Sequence, residues 1–369
     1  MFISNDLFMN NFCDLNVFFK ESTIYERNIY MKILTPVNTA NEVELLKKAG
    51  AEEFFCGYVP YYWIKKYNKS LYQDGTYRIM QISNNKRDGI SQNITDINNL
   101  KELADKVREV NCKLYVTLNF FFYPQESYEE LNMILDEIKM LDISGVIITD
   151  VGLINYIRNN YPDISLVLST CQSIYNSYAV KFFKEMGITR ITFPRHITLD
   201  EIIEITNAEP NIEYECFILE GKCIYDDGNC KALHGVGNFC CDQWEYSYYR
   251  TDDKDFTYKE IQKLSENELC FKNWTKPYPS VDAKVNGWPY VGCGICAIPQ
   301  LIKQSNITTL KISGRGITIG EKLSLIRYVK RAISMAENGK DAASIREYGK
   351  KVLGIPEMCD LKSRCYLTV

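Results

Sequence analysis

From Met31 onward, short runs rich in β-branched and aromatic residues alternate with longer amphipathic stretches, and the alternation repeats eight times. The runs are KILTPV (32–37), EEFFCGY (52–58), KLYVTLN (113–119), GVIITD (145–150), SLVLST (165–170), RITFPR (190–195), IEYECFILE (212–220) and TLKISGR (309–315). Between them lie segments such as NEVELLKKAG, ITDINNLKELADKVREV and SYEELNMILDEIKML, with apolar residues at helical spacing. Gly50, Gly187 and Asn111 fall where helix C-caps belong. Strict alternation implies a parallel sheet, and eight repeats imply closure into an α/β (β/α)8 TIM-barrel-like domain, with a doubly wound open sheet as the alternative. Two connections are too long to be simple joints. Residues 59–93 follow the second strand, and a Cys-rich insertion over about 221–296 separates strands seven and eight. Both leave strand C-termini, the face where such barrels place their chemistry. The expected layout is an N-terminal extension (1–30), the barrel (31–338) and a C-terminal helix and tail (339–369).

The 369 residues are 46% hydrophobic and 24% charged, a composition outside the disordered range. Forty-three basic and 47 acidic side chains give a net charge of −4, which disfavours a general electrostatic grip on nucleic acid or anionic membrane but allows a local basic groove. No apolar run is long enough to span a bilayer, so no membrane partner is expected. Asn, Asp and Lys interrupt every apolar run among the first thirty residues, unlike a secretory signal, and a cytoplasmic location is expected.

The chain carries 14 Cys and two His, His196 and His234. In a large chain under reducing conditions, clustered thiols bind metal more often than they form disulfides. Seven lie in the long insertion: Cys223 and Cys230 in CIYDDGNC, the adjacent Cys240 and Cys241, Cys270, and Cys293 and Cys296 in GCGIC. Cys359 and Cys365 follow in the tail. All-thiolate sites select zinc or iron–sulfur clusters. Paired CxxC knuckles mark structural zinc, and GCGIC alone has that spacing, so four scattered sulfurs fit a cluster at least as well. Nine cysteines leave room for a second cluster. Cys13 and Cys112 read as small buried hydrophobes, while Cys56 and Cys171 lie in or beside strands at the barrel mouth.

The segment EYECFILEGKCIYDDGNC resembles the collagenase-like peptidase family U-32, whose signature places two Cys six residues apart after a Glu-x-Phe strand and a Gly. Three more segments are similar to the family in the same order: KILTPVNTANEVELLKKAGAEEFFCG, STCQSIYNSYAV with Cys171 inserted before Gln172, and LKISGRG with Ser313 at the family's acidic position. The resemblance implies a barrel whose cysteines hold an oxygen-sensitive 4Fe-4S cluster. Relatives hydroxylate tRNA, rRNA or quinone precursors without molecular oxygen, and others are described as collagen-degrading proteases. By position, Cys223 and Cys230 match the first two ligands and Cys241, or Cys240, the third; Cys296, Cys293 and Cys270 are candidates for the fourth.

Polar residues at strand ends supply the expected pocket: Asn119, Asp150, Ser169, Gln172, Arg195, Glu220 and Arg315. The plainer reading is that some only cap helices, Asp150 foremost. Arg195 and Arg315 are suited to carboxylates, and GRGITIG after strand eight has glycines that let backbone N–H groups approach an anion. Neither HExxH nor a strand-borne GxSxG occurs, and His196 or His234 would have to serve any nucleophile. The aromatic stretches YVPYYWIKKY and DQWEYSYYR read as pocket lining before base-stacking platforms. The expected function is therefore oxygen-independent hydroxylation or a related redox modification of an RNA, peptide or small carboxylate, with Arg195, Glu220, Arg315, Gln172 and Asn119 as catalytic candidates. The alternatives are a peptidase, or a non-catalytic iron–sulfur protein serving a second subunit.

Overall fold

The computed structural model describes residues 30–67, 72–73, 76–77, 83–87, 92–223, 226–230, 249–251, 258–260, 292–353, 359 and 365–367. Eight parallel strands close into a barrel: β1 (Lys32–Pro36), β2 (Glu53–Gly57), β3 (Lys113–Leu118), β4 (Gly145–Ile148), β5 (Leu166–Leu168), β6 (Arg190–Thr192), β7 (Glu213–Leu219) and β8 (Ile307–Ile312). The order runs from β1 through β2 to β8, and β8 pairs back onto β1 with Lys32 opposite Thr309. The doubly wound alternative is thereby excluded, since an open sheet has no pairing between its first and last strands. Nearly every strand residue is buried because the barrel interior covers one face and helices the other.

The helices follow their strands: α1 (Ala40–Ala49), α2 (Tyr61–Tyr67), α3 (Ile97–Glu109), α4 (Tyr128–Met140), α5 (Val151–Asn160), α6 (Ser177–Glu185), α7 (Leu199–Ala208), α8 (Ile298–Gln304), α9 (Ile319–Glu337) and α10 (Ala342–Leu353). The main barrel helices seat one apolar stripe inward, as Leu100, Leu103, Ala104 and Val107 do for α3, while α10 packs on α8, α9 and the Ile295–Ala297 turn. Starts are chemically marked. Thr198 and Thr318 make capping boxes with Glu201 and Glu321, and Asp150 accepts from the Leu153 N–H at 2.6 Å as the cap of α5. Gly50, Asn111 and Gly187 all take positive φ just past helix ends, where the chain must reverse.

Inside the barrel, Leu34, Phe55, Tyr115, Ile147 and Val167 form a small apolar cluster separate from the large core between strands and helices. A buried ion network runs through the barrel interior from the N-terminal ends of the strands up to Lys311, which lines the cavity at their C-terminal ends. Arg190 donates to Glu53 through both terminal nitrogens, Nη2 to Oε1 at 3.0 Å, and also bonds Glu213; Lys311 donates to the fully buried Glu215 at 2.7 Å. Burial works against the charge of Arg190, but the bond to Glu53 and the carboxylates of Glu53 and Glu215 outweigh it and raise its pKa. Among the described residues, no helix is long and apolar enough to cross a membrane.

Candidate active site at the barrel mouth

At the C-terminal ends of the strands lies a cavity of about 100 Å³. Thr117, Asn119, Ser169, Arg195 and Arg315 line it from strand ends or the turns just beyond them, and Lys86 and Arg87 line it from the first long connection. Cys171, Cys223, Asp227 and Cys230 complete the rim.

Positive charge dominates this cavity. Arg315 is 7% exposed, and its guanidinium donates to neutral oxygens: Asn93 Oδ1 at 3.2 Å, Thr117 Oγ1 at 3.2 Å and Asn85 Oδ1 at 3.3 Å. Burial and the neighbouring Arg87 push its pKa down to about 9, with Cys56 and Cys171 opposing. Arg87 is likewise lowered, first by burial and then by Arg195, against the pull of Asp227, Cys223 and Glu220. Arg195 stacks on Phe217 at 4.1 Å from the ring centroid and pairs with Asp227. Burial opposes its charge as well, but Asp227, Tyr366 and Cys223 raise its pKa overall. Its Nε is buried without a hydrogen-bond partner among the described residues. Desolvated guanidinium groups with unfilled donors are the chemistry of an anion site.

The cysteine loop starts from an unusual backbone. Glu220 and Gly221 both take left-handed φ, 69° and 66°, so the chain turns sharply as it leaves β7. Gly221 lies against the Ser313 side chain, and Ser313 Oγ donates to the Glu220 carbonyl at 2.6 Å. The hexapeptide between Cys223 and Cys230 is then fastened down by its acids. Asp226 accepts from Ser173 and, at 3.3 Å, from the Tyr175 hydroxyl, while Asp227 takes Arg195 and Thr170. Lys86 Nζ donates to the Cys230 carbonyl. Cys223 and Cys230 thus share a rim with Arg87 and Arg195, whose charges would offset those of thiolates or of an anionic thiolate-bound cluster held there. Among the described residues, no three His, Cys, Asp or Glu side chains stand close enough together to hold a metal ion as placed. None of the described cysteines is in a disulfide.

Of the residues predicted from sequence, Asn119, Ser169, Arg195 and Arg315 line the cavity with Cys223 and Cys230. Gln172 does not; its amide donates to the Thr149 carbonyl. Glu220 shapes the turn, its carbonyl accepting from Ser313 and from Tyr366 OH at 2.8 Å. Asp150 is the helix cap described above, and His196 is exposed. Cys293 and Cys296 do not line this cavity. Cys240, Cys241, Cys270 and His234 lie outside the described residues. Sequence reasoning missed Asn85, Lys86, Arg87, Asn93 and Asp227. The first four sit in the 59–93 connection, where NNKR was a visible basic signal, and Asp227 sits between two cysteines that drew attention to themselves.

Fold and site together define a (β/α)8 barrel with a cationic, thiol-bearing mouth. The chain belongs to peptidase family U32, whose profile matches residues 39–359. It is similar to the tRNA hydroxylation protein P1 of Bacillus subtilis (strain 168), at 28% identity over 66% of this chain and 54% of that protein. It is also similar to the tRNA hydroxylation protein P of Haemophilus influenzae, at 34% identity over 46% of this chain and 39% of that protein. A third relative is the 23S rRNA 5-hydroxycytidine C2501 synthase of Escherichia coli (strain K12), at 28% identity over 37% of this chain and 21% of that protein. The chain spans about half the length of the first of these relatives and less of the others.

Proposed function

We propose that this protein is an RNA-modifying redox enzyme that hydroxylates a nucleoside without molecular oxygen. The observation that carries the reading is the convergence of Arg87, Arg195 and Arg315 with Cys223 and Cys230 on one desolvated cavity. The kinship with tRNA and rRNA hydroxylation proteins supports RNA as the substrate class.

Hydroxylation replaces a C–H bond by C–OH and removes two electrons from the substrate carbon. Without molecular oxygen, the oxygen atom would come from a co-substrate that acts as the oxygen-atom donor and is itself reduced by those two electrons. Arg315 and Arg195 would hold an anionic co-substrate here, Arg315 presenting a fork supported by Asn85, Asn93 and Thr117. Cys223 and Cys230 would supply two ligands of a 4Fe-4S cluster, with Cys241 or Cys240 as the third and Cys296, Cys293 or Cys270 as the fourth. Such a cluster supplies one-electron transfer at a potential set by its ligands, charge and burial. Asn119 orients the rim: its Oδ1 accepts from the Lys86 N–H at 3.1 Å and its Nδ2 donates to Ser169 at 3.4 Å.

Mass spectrometry of nucleosides from tRNA and rRNA tests the proposal. Cells lacking this protein should lose a hydroxylated nucleoside, which the wild-type chain restores under anaerobic growth and Cys223→Ser or Arg315→Ala does not. An unchanged nucleoside profile, with peptide cleavage by the purified chain that survives Cys223→Ser, would instead establish a peptidase.

A further inference from the structure

A second cavity, of about 390 Å³, lies beside the cationic one, between the β1–α1 turn and the segment that enters α3. Six polar side chains line it: Asn38, Thr39, Asn41, Gln92, Asn93 and Asn99. The two cavities share a wall. Asn93 faces the second cavity while its Oδ1 accepts from Arg315 Nη1 at 3.2 Å and its Nδ2 donates to the Arg87 carbonyl at 2.8 Å. Gly57, at the end of β2, also lines the second cavity, and its missing side chain is what lets Asn93 and Arg315 meet there.

Most of these polar groups are not used by the fold. Among the described residues, the side-chain amides of Asn38, Asn41, Gln92 and Asn99 make no hydrogen bond; Asn38 takes part only through its backbone N–H, which donates to Glu42 Oε2 at 3.0 Å. Thr39 is the N-cap of α1, yet its hydroxyl makes no capping bond, whereas Thr198 and Thr318 cap their helices with theirs. Four amides and a hydroxyl from two separate segments thus offer donors and acceptors to one concavity.

Charge distinguishes the two cavities. Arg87, Arg195 and Arg315 line the first; no Lys or Arg lines the second, whose one ionisable lining group is Glu102. Past Glu102, the groove between α1 and α3 continues with Glu44, Asp105 and Glu109 around Lys106. A phosphate is drawn to the first cavity and repelled from the second, which suits an uncharged, planar, polar group. Side-chain amides pair with nucleobase edges, and a carboxylate accepts from an exocyclic amine. The volume also falls within the range of small-ligand sites, about 300–1,000 Å³.

We propose that this second cavity reads an unpaired base of the RNA, next to the nucleotide being modified, while the RNA backbone lies on the cationic mouth. The inference rests on the RNA reading above and adds a determinant of sequence context to it. Asn41 and Asn99, on the first turns of α1 and α3, and Glu102, one turn further along α3, contact the base edge. Glu102 favours a base with an exocyclic amine, adenine or cytosine, over uracil.

Fluorescence anisotropy of the full chain with labelled oligo(rA), oligo(rC) and oligo(rU) of equal length tests the pocket. The wild-type protein should bind oligo(rA) or oligo(rC) at least about 10-fold more tightly than oligo(rU). Asn41→Ala combined with Asn99→Ala should bring the three affinities within about 2-fold of one another, while the salt dependence of binding, which counts phosphate contacts, stays unchanged. Both asparagines are exposed and alanine favours the helix, so the barrel should stay folded, as circular dichroism checks. A preference that survives both substitutions, an equal loss for all three RNAs, or wild-type binding without preference overturns the base pocket and leaves the RNA reading standing. Wild-type protein that binds none of the three also overturns the pocket, and the nucleoside profile of cells lacking the protein then decides the RNA reading separately.

Discussion

Arg315 concentrates the argument into one side chain. Its guanidinium rests on amide and hydroxyl oxygens, with Arg87 alongside, so the fold holds a charge that it does not neutralise among the described residues. Replacing Arg315 by Lys keeps a cation but loses the planar fork, and should weaken anionic co-substrate binding by about 10- to 100-fold, the scale of one or two charged hydrogen bonds. A titration of co-substrate affinity checks this; an unchanged affinity contradicts it. Gly57 makes room for the arrangement, since a methyl group there would overlap Asn93 Oδ1 and Arg315 Nη1. Gly57→Ala should therefore lower activity in the manner of an Arg315 variant while leaving the circular dichroism spectrum unaltered. The pH dependence follows from the depressed pKa of Arg315. Burial pushes its pKa in the folded chain down to about 9, well below that of a free arginine, so the unfolded chain binds more protons above that pH and Arg315 makes stability rise with pH there. A bound anion favours the protonated form. Binding should take up protons near pH 9 and weaken above it, and calorimetry in buffers of different ionisation enthalpy would detect this; affinity flat from about pH 8 to 10 would refute it.

At the level of elements, alternation and capping made the barrel legible before any coordinates. All eight strands and the helix-ending Gly50, Asn111 and Gly187 fall where the pattern put them, because local hydrophobic period and backbone chirality decide these features. β8 begins two residues earlier than its apolar pattern suggested, at Ile307, since the boundary is set by pairing with Tyr214 on β7. The interior ion network left no such trace. Glu53 and Glu215 look like ordinary solvated charges within alternating strands, and only closure brings Arg190 to Glu53, 137 residues away in sequence. Likewise, the residues supporting Arg315 come from positions 85, 93 and 117, and no local spacing links them to position 315. Removing the shared cation by Arg190→Met should cost about 3–5 kcal/mol, because Glu53 would remain buried without its main partner. Chemical denaturation measures this, and a loss under about 1 kcal/mol would show that the network relaxes more freely than its burial implies.

For the whole molecule, the long insertion and the tail convert a common scaffold into a particular site. The insertion leaves β7 through the Glu220–Gly221 turn and returns beside it at Gly292, so both ends of the cysteine-rich segment are anchored at one place on the barrel rim. Acids between Cys223 and Cys230 then clamp the first thiols over the cationic cavity. The most direct measurement is iron and acid-labile sulfide analysis of the anaerobically purified protein, with electron paramagnetic resonance after reduction. The account predicts about four irons and four sulfides per chain, lost together in Cys223→Ser and Cys230→Ser while the barrel stays folded. A colourless wild-type protein without iron, or full iron content in both variants, would contradict it.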